Sequence, residues 1–236
     1  MNCDLCRCPI QGEYYQNFWR EVWCATHPAI QCNHCSRLLS STLRSEPSAI
    51  PCCSICAGIS VTQPDVLLRQ TYLVQGWLAR EGLKTPDKFS LALVSQIESG
   101  SGNSSDSDRV LGQASAVLEY DLSGTRLKDA SVKIVQSLPL DLCLGVLAHE
   151  LAHLFLYEHD LTGWTPMQKE GFCEAVAYRW YTQRATERTR FFAHKMERNS
   201  CPVYGDGFRF VQAHIEKHGW EQTLQHIKRI GRLPNF

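Results

Sequence analysis

The sequence predicts an α+β protein with a small cysteine-rich module ahead of a larger domain. Three observations carry this. Nine of the 12 cysteines fall between Cys3 and Cys56. After Ser60, one helical pattern is followed by short strand-like runs, and from Pro139 onward the pattern is mainly helical. Strands first and helices after them make an α+β order rather than an alternating α/β one. The module is expected over residues 1–60 and the larger domain over 61–236.

The elements follow from local patterns. Pro64-Asp65 opens a helix whose apolar positions include Val66, Leu67, Tyr72, Leu73, Trp77 and Leu78, and Gly82 stops it. Strands are expected over residues 89–96, 114–120 and 132–136. Between the first two, the acidic low-complexity run from Glu98 to Asp108 reads as a mobile surface loop, with a substrate-gating flap as the alternative. Helices are expected over 140–157, 166–183, 186–198 and 208–229, the last broken at Gly219. No solenoid-type repeat is visible.

Charge and composition exclude some classes. With 24 basic and 24 acidic residues the net charge is zero. The segment from Met1 to Ser60 carries only Arg7, Arg20, Arg37 and Arg44 as cations, so no nucleic-acid partner is expected despite the cysteine pairs. The start of the chain has no basic segment followed by an apolar one, and the apolar stretch from Leu142 to Ala148 is too short to span a bilayer. A soluble, cytoplasmic protein with no membrane partner is expected. In a reducing compartment clustered cysteines bind metal more readily than they form disulfides. Cys143, Cys173 and Cys201 lie outside the cluster and read as small core residues.

His149-Glu150-Leu151-Ala152-His153 has the pattern H-E-x-x-H. On a helix, a step of four positions turns the side chain by about 400°, leaving the two imidazoles about 40° apart and one turn apart. Both then reach one metal ion, while Glu150 faces water beside it. Leu142, Val146, Leu147, Leu151, Leu154 and Phe155 supply the apolar spacing of the helix. A catalytic zinc takes three protein ligands and keeps one position open. Glu170 lies far enough beyond His153 for the first helix to end, the chain to turn at Gly163-Trp164, and an antiparallel helix to bring it opposite the histidines. Glu174, one turn on, is placed to hold a histidine by its other nitrogen, or else is a solvated helix residue.

This arrangement resembles the gluzincin peptidases, the clan of thermolysin and the zinc aminopeptidases. His149-Glu-Leu-Ala-His153 followed by Glu170-Gly-Phe is similar to the aminopeptidase pattern H-E-L-A-H with a later N-E-G-F, with Lys169 in place of the Asn. The resemblance implies a zincin-like catalytic domain, with a short sheet, an active-site helix and a helical C-terminal part.

The cysteine-rich module reads Cys3-x2-Cys6, Cys24-x2-His27, Cys32-x2-Cys35 and Cys53-x2-Cys56. The interval from Cys6 to Cys24 equals that from Cys35 to Cys53, and a short link from His27 to Cys32 joins the halves. Eight such ligands make two tetrahedral sites, closed and therefore structural. Cys52 competes with Cys53, while Cys8 and His34 read as spare. Tyr14, Tyr15, Phe18 and Trp19 are expected to fill the small core. The pattern resembles a LIM domain, which implies one zinc on Cys3, Cys6, Cys24 and His27 and another on Cys32, Cys35, Cys53 and Cys56. It also implies a protein partner for the module.

Together, the module, the H-E-x-x-H motif and Glu170-Gly-Phe-Cys173 resemble the DA-one-type peptidases, LIM-containing growth regulators of plants with bacterial relatives. Tyr204-Gly-Asp-Gly-Phe-Arg209 and Thr223-Leu-Gln-His-Ile227 extend the resemblance over nearly the whole chain. A link to ubiquitin comes from the resemblance alone. The expected function is hydrolysis of peptide bonds in protein substrates with three zinc ions, one catalytic and two structural. His149, His153 and Glu170 would hold the catalytic ion, and Glu150 would act as base. Tyr204, with His214 behind it, is the candidate hydrogen-bond donor to the carbonyl oxygen, with plain packing as the other reading. The strand over 114–120 could pair with an extended substrate. The competing reading is a non-enzymatic LIM-type adaptor on a zinc-stabilised pseudo-peptidase.

Overall fold

The computed structural model describes residues 1–39, 50–98, 110–121, 124–161 and 163–231. The chain forms two compact units, Met1–Ser60 with Ser137–Pro139, and Val61–Gln136 with Leu140–Phe236. The expected loop from Glu98 to Asp108 lies outside the described residues, apart from Glu98 itself.

The first unit is built from two copies of one turn. Arg7 N–H donates to the Cys3 carbonyl (2.8 Å) and Cys3 N–H to the Cys8 carbonyl (2.9 Å). In the second copy, Ser36 N–H donates to the Cys32 carbonyl and Cys32 N–H to the Arg37 carbonyl, at 2.8 Å each. Arg7 and Ser36 both take a left-handed conformation, with φ of 64° and 57°, which wraps the chain back over the preceding cysteines. All four candidate ligands recur at one constant offset: Cys3 with Cys32, Cys6 with Cys35, Cys24 with Cys53 and His27 with Cys56.

Strands β1 (Tyr14–Gln16) and β2 (Val22–Cys24) pair antiparallel, Tyr15 opposite Trp23. Val22 and Trp23 are buried, whereas Tyr14 and Tyr15 are 49% and 55% exposed. The expected aromatic core therefore fails at Tyr14 and Tyr15, while Phe18 and Trp19 are half-buried. A two-stranded ribbon has one covered face and one covered strand, and β1 is the outer strand. Trp19 is half-buried and donates its indole N–H to the Cys35 carbonyl (2.5 Å), beneath the Arg37 guanidinium at 3.8 Å. Glu21 accepts from Leu38 N–H (2.8 Å), so the hairpin ties one turn to the other. Helix α1 (Ser54–Gly58) and the short strand β3 (Ser60–Val61) close this part of the chain.

The second unit begins with α2 (Pro64–Arg80), which ends at Gly82, φ 85°. A three-stranded sheet follows, with β4 (Ser90–Val94), β5 (Gly112–Asp121) and β6 (Gly124–Val135) in the order β4-β6-β5. β4 runs parallel to β6, and β5 runs antiparallel to it with an irregularity at Val117/Leu118. β6 starts well before the expected Val132. Its first half is polar and lacks an apolar signature, and it is held as a strand by the ladder to β5 and by the Arg126–Glu119 ion pair (2.6 Å).

After strand β7 (Leu138–Pro139) come the helices α3 (Leu140–Glu158), α4 (Pro166–Arg184), α5 (Glu187–Glu197), α6 (Gly207–His218) and α7 (Trp220–Ile230). Thr165 caps α4 in a reciprocal box with Gln168, and Thr186 caps α5. α3 has the length and apolarity of a membrane span, but most of that window is buried inside the fold. It reads as a core helix because nearly every face is covered: Leu147, Leu151, Leu154 and Phe155 are wholly buried. Cys143 and Cys173 are buried too, while Cys201 is only partly so.

Two glycines set the helix spacing. A Cβ on Gly145 of α3 would overlap the Tyr181 hydroxyl of α4, and one on Gly171 of α4 would overlap the Gly207 carbonyl at the start of α6. An alanine at a helix interior is ordinarily better than glycine by about 1 kcal/mol. At Gly171 the obstacle is backbone, which cannot rotate aside. Gly171→Ala should therefore destabilise the fold by about 1–3 kcal/mol, read as a lower urea midpoint by circular dichroism.

Candidate metal centre

Helix α3 carries His149 and His153 on one face, with ring centroids 4.9 Å apart. Their Nε2 atoms are 3.2 Å apart. Glu170, from α4, puts Oε2 at 3.1 Å from the first Nε2 and 3.4 Å from the second. Three ligand-type atoms thus form a nearly equilateral triangle. A tetrahedral zinc with bonds of about 2.0–2.1 Å spaces its ligand atoms about 3.3 Å apart, so the triangle fits one ion.

The surroundings favour a cation. Burial lowers the proton affinity of His149, but its hydrogen bonds with Glu170 and Glu174, and the charges of Glu174 and Glu150, outweigh this and raise its pKa well above the usual value. Burial raises Glu170, yet the two imidazoles hold it far below the ordinary carboxylate range. Three carboxylates therefore crowd two imidazoles in a shielded place, a balance that a divalent ion would neutralise.

Glu174 lies where it can fix the first histidine. His149 Nδ1 lies 3.1 Å from Glu174 Oε1, so its N–H donates there, and Nε2, turned towards Glu170, is the nitrogen that a metal ion would take in place of a proton. The Nδ1 of His153 is buried without a hydrogen-bond partner among the described residues. The two histidines are thus unequally oriented.

Cys173, which the sequence places only in the core, has a second neighbourhood. Its sulfur also lies within 4.8 Å of a nitrogen on each histidine. Glu170 touches both rings at shorter range, and burial pushes the Cys173 thiol well above its usual pKa, keeping it protonated. The carboxylate is the better third ligand on both counts.

Glu150 points to the sheet side of α3 and is 6% exposed. Burial raises its pKa; the charges of His149 and His153 and a backbone hydrogen bond from Ala114 oppose that rise without cancelling it. The strand passes this close because position 112 is glycine: a Cβ there would come within 2.6 Å of both Glu150 Oε1 and Val146 Cγ1. The edge strand β5 is therefore laid against the Glu150 face of the helix. Sequence reasoning names this strand but finds neither Gly112 nor Ala114 as its points of contact, since a contact between distant elements leaves no local pattern.

Tyr204 sits in a π-helical turn, Pro202–Asp206, pinned by Gly205 and Asp206 N–H groups donating to the Cys201 carbonyl at 2.7 and 3.1 Å. Its ring lies 6.5 Å from that of His149 and is 40% exposed. Burial, then the charges of Glu170, Glu174, Glu150 and Cys201, raise the phenol pKa, so it stays a donor. His214, expected behind Tyr204, has its ring 4.5 Å from that of His218, tilted by 36°. Sequence reasoning misses Tyr157: it stacks on His153 at 6.4 Å, one turn further along α3, and its helical spacing from that histidine is its only signal.

In the first unit, Cys3, Cys6, Cys24 and His27 gather their ligand atoms within 4.8 Å of one another, and so do Cys32, Cys35, Cys53 and Cys56. Cys3 Sγ is 3.4 Å from His27 Nδ1, and Cys35 Sγ is 3.7 Å from Cys53 Sγ. With zinc–sulfur bonds of about 2.3 Å, tetrahedral neighbours lie about 3.7 Å apart. Both clusters fit zinc. Cys53, not Cys52, completes the second one, and its N–H donates to Cys32 Sγ at 3.3 Å. Cys8 and His34 belong to neither group.

These features define an α+β protein with two finger-type zinc-binding clusters and a histidine–carboxylate centre. Comparison with known proteins gives the relationship. The DA1-like family model, described as Protein DA1, matches residues 181–230, from the end of α4 through α7 and including Tyr204. The chain is similar to Protein DA1 of Arabidopsis thaliana, with 27% identity over 132 residues, covering 44% of this chain and 25% of that one. It is similar to Protein DA1-related 1 of the same plant, with 28% identity over 140 residues, 46% of this chain and 25% of the other. LIM domain-containing protein HDR3 of Oryza sativa subsp. japonica shares 26% identity over 145 residues, 46% of this chain and 29% of its own. The matches span about a quarter of the length of these curated relatives. No solved structure matches.

The centre predicts a specific metal count. The purified chain should hold three zinc ions, and a His149→Ala/His153→Ala variant should lose one of them. Glu174→Gln should weaken that same ion by about 10–100-fold, measured by competition with a calibrated chelator. Equal affinity in wild type and Glu174→Gln would deny the orienting role.

Proposed function

We propose that the chain is a zinc-dependent peptidase with a zincin-like catalytic domain, acting on protein substrates. The observation that carries this is the triangle of His149 Nε2, His153 Nε2 and Glu170 Oε2 with the Glu150 carboxylate on the same helix. Such a centre leaves room for a fourth, non-protein ligand.

Zinc held there would supply Lewis acidity, making water nucleophilic near neutral pH. Glu150, ionised, takes a proton from the attacking water and hands it to the departing amine. Tyr204 donates its phenol hydrogen to the carbonyl oxygen as negative charge develops there. The edge of β5 near Gly112 and Ala114 receives an extended peptide by strand addition, in line with Glu150. Glu174 keeps His149 in one tautomer throughout. The finger unit serves protein interaction, and a cytoplasmic site of action suits its free thiols. A link to ubiquitin rests on resemblance alone.

One observation favours the alternative, a non-enzymatic adaptor. The Cys173 sulfur gathers with ligand atoms of both histidines within 4.8 Å, and a further protein ligand at the centre would exclude water.

Two measurements decide between them. With zinc loaded, the wild type should cleave unfolded proteins or itself, while Glu150→Gln retains its fold and all its zinc but loses cleavage by at least about 100-fold. Absence of cleavage in the wild type would favour the adaptor; retained cleavage in Glu150→Gln would remove the base. The pH profile should follow the buried carboxylate. A base works only when ionised, and burial raises Glu150 above its ordinary 4.5, so activity should climb with pH through an acidic limb lying above that value.

A further inference from the structure

Each finger cluster has a fifth cysteine beside it. Cys8 adjoins the first, two residues beyond its ligand Cys6. Cys52 adjoins the second, next to its ligand Cys53. The two sites differ in shielding. All four cysteines of the second site are buried, whereas in the first only Cys3 is buried and Cys6 is exposed. Cys8 is exposed as well, with its sulfur 3.5 Å from the Cys6 carbonyl. In the second copy of the turn its place is taken by Arg37, so that copy has no second thiol on the loop.

The turn itself holds the pair together. Arg7 between them is left-handed, and the Cys8 carbonyl accepts from Cys3 N–H at 2.9 Å, which fixes Cys6 and Cys8 on one short loop. A solvent-open hollow of about 580 Å³ is lined by Cys8, Glu13, Cys24 and Thr26, among others, and gives a small oxidant access to the loop.

From this juxtaposition we propose that Cys6 and Cys8 form an oxidisable pair, a modification site that makes the first finger cluster release its metal under peroxide. The chemistry balances with hydrogen peroxide as the oxidant. One sulfur of the pair attacks the peroxide oxygen, breaking the O–O bond and leaving a sulfenic acid and one water. The second sulfur displaces that hydroxyl as a second water and forms the S–S bond. The pair loses two electrons; Cys8 gives up one proton, solvent supplies the other because metal-bound Cys6 is already a thiolate, and the peroxide becomes two waters. Cys6 is then no longer a donor, and Cys3, Cys24 and His27 remain as three of four ligands. The second cluster keeps all four, because its ligands are covered and the sulfur of its spare Cys52 is engaged by the Cys53 carbonyl at 3.5 Å.

The test uses the full chain loaded with zinc and treated with hydrogen peroxide. Released zinc is followed with a colorimetric chelator, and linked peptides are mapped by mass spectrometry. One zinc equivalent should leave at least about fivefold faster than the rest, with Cys6 and Cys8 joined and two hydrogens lost, and dithiothreitol should reverse the link. Cys8→Ser should remove the fast phase, and Cys52→Ser should leave it unchanged. A fast phase that persists in Cys8→Ser, or a first-formed disulfide between other cysteines, overturns the proposal. If Cys8→Ser fails to take up zinc, the peptide map of the wild type decides alone.

Discussion

The arrangement of the second unit depends on the crossing of α3 and α4. Two imidazoles on one helix and a carboxylate on the next meet at 3.1–3.4 Å. That distance is set by packing rather than by attraction between the groups, because burying several ionisable side chains together costs free energy unless an ion or hydrogen bonds compensate. The glycines absorb the geometry: Gly145 lets Tyr181 of α4 press against α3, and Gly171 lets α4 meet the first residue of α6. α6 in turn anchors the π-helical turn that presents Tyr204. The centre and the phenol beside it thus share one set of close backbone contacts.

Much of this is legible in the sequence because local rules carry it. The helical spacing of His149 and His153 fixes their face whatever the rest of the chain does, and Thr165-Pro166 announces where the return helix begins. Glu170 follows from helix lengths alone. The finger ligands are legible for a similar reason, since each pair spans one tight turn and the pairs recur at a constant offset.

What stays hidden depends on contacts between distant elements. Gly112 and Ala114 reach Glu150 only once β5 has been laid across α3. The first half of β6 is a strand because β5 is its partner; its own residues are too polar to say so. Tyr14 and Tyr15 look like core on composition, yet they lie on the outer strand of a short hairpin and stay half exposed. Cys173 looks like filler and is filler by burial, but its place beside both histidines follows from the helix crossing, which no spacing along the chain reveals.

The two kinds of cluster in this chain answer opposite physical demands. A finger cluster must close, since four sulfur or imidazole ligands and the backbone N–H groups pointing at them are what hold so small a unit together. The histidine–carboxylate centre has three well-placed ligands, a fixed first histidine, a raised neighbouring carboxylate and a protonated phenol. The burial of Glu150 is only partly offset, by the charges of His149 and His153 and by a backbone hydrogen bond from Ala114. Under the proposed peptidase reading, a carboxylate kept there beneath an edge strand trimmed to glycine has a proton to take. That use of Glu150 is what favours the proposed reactive centre over a third clamp.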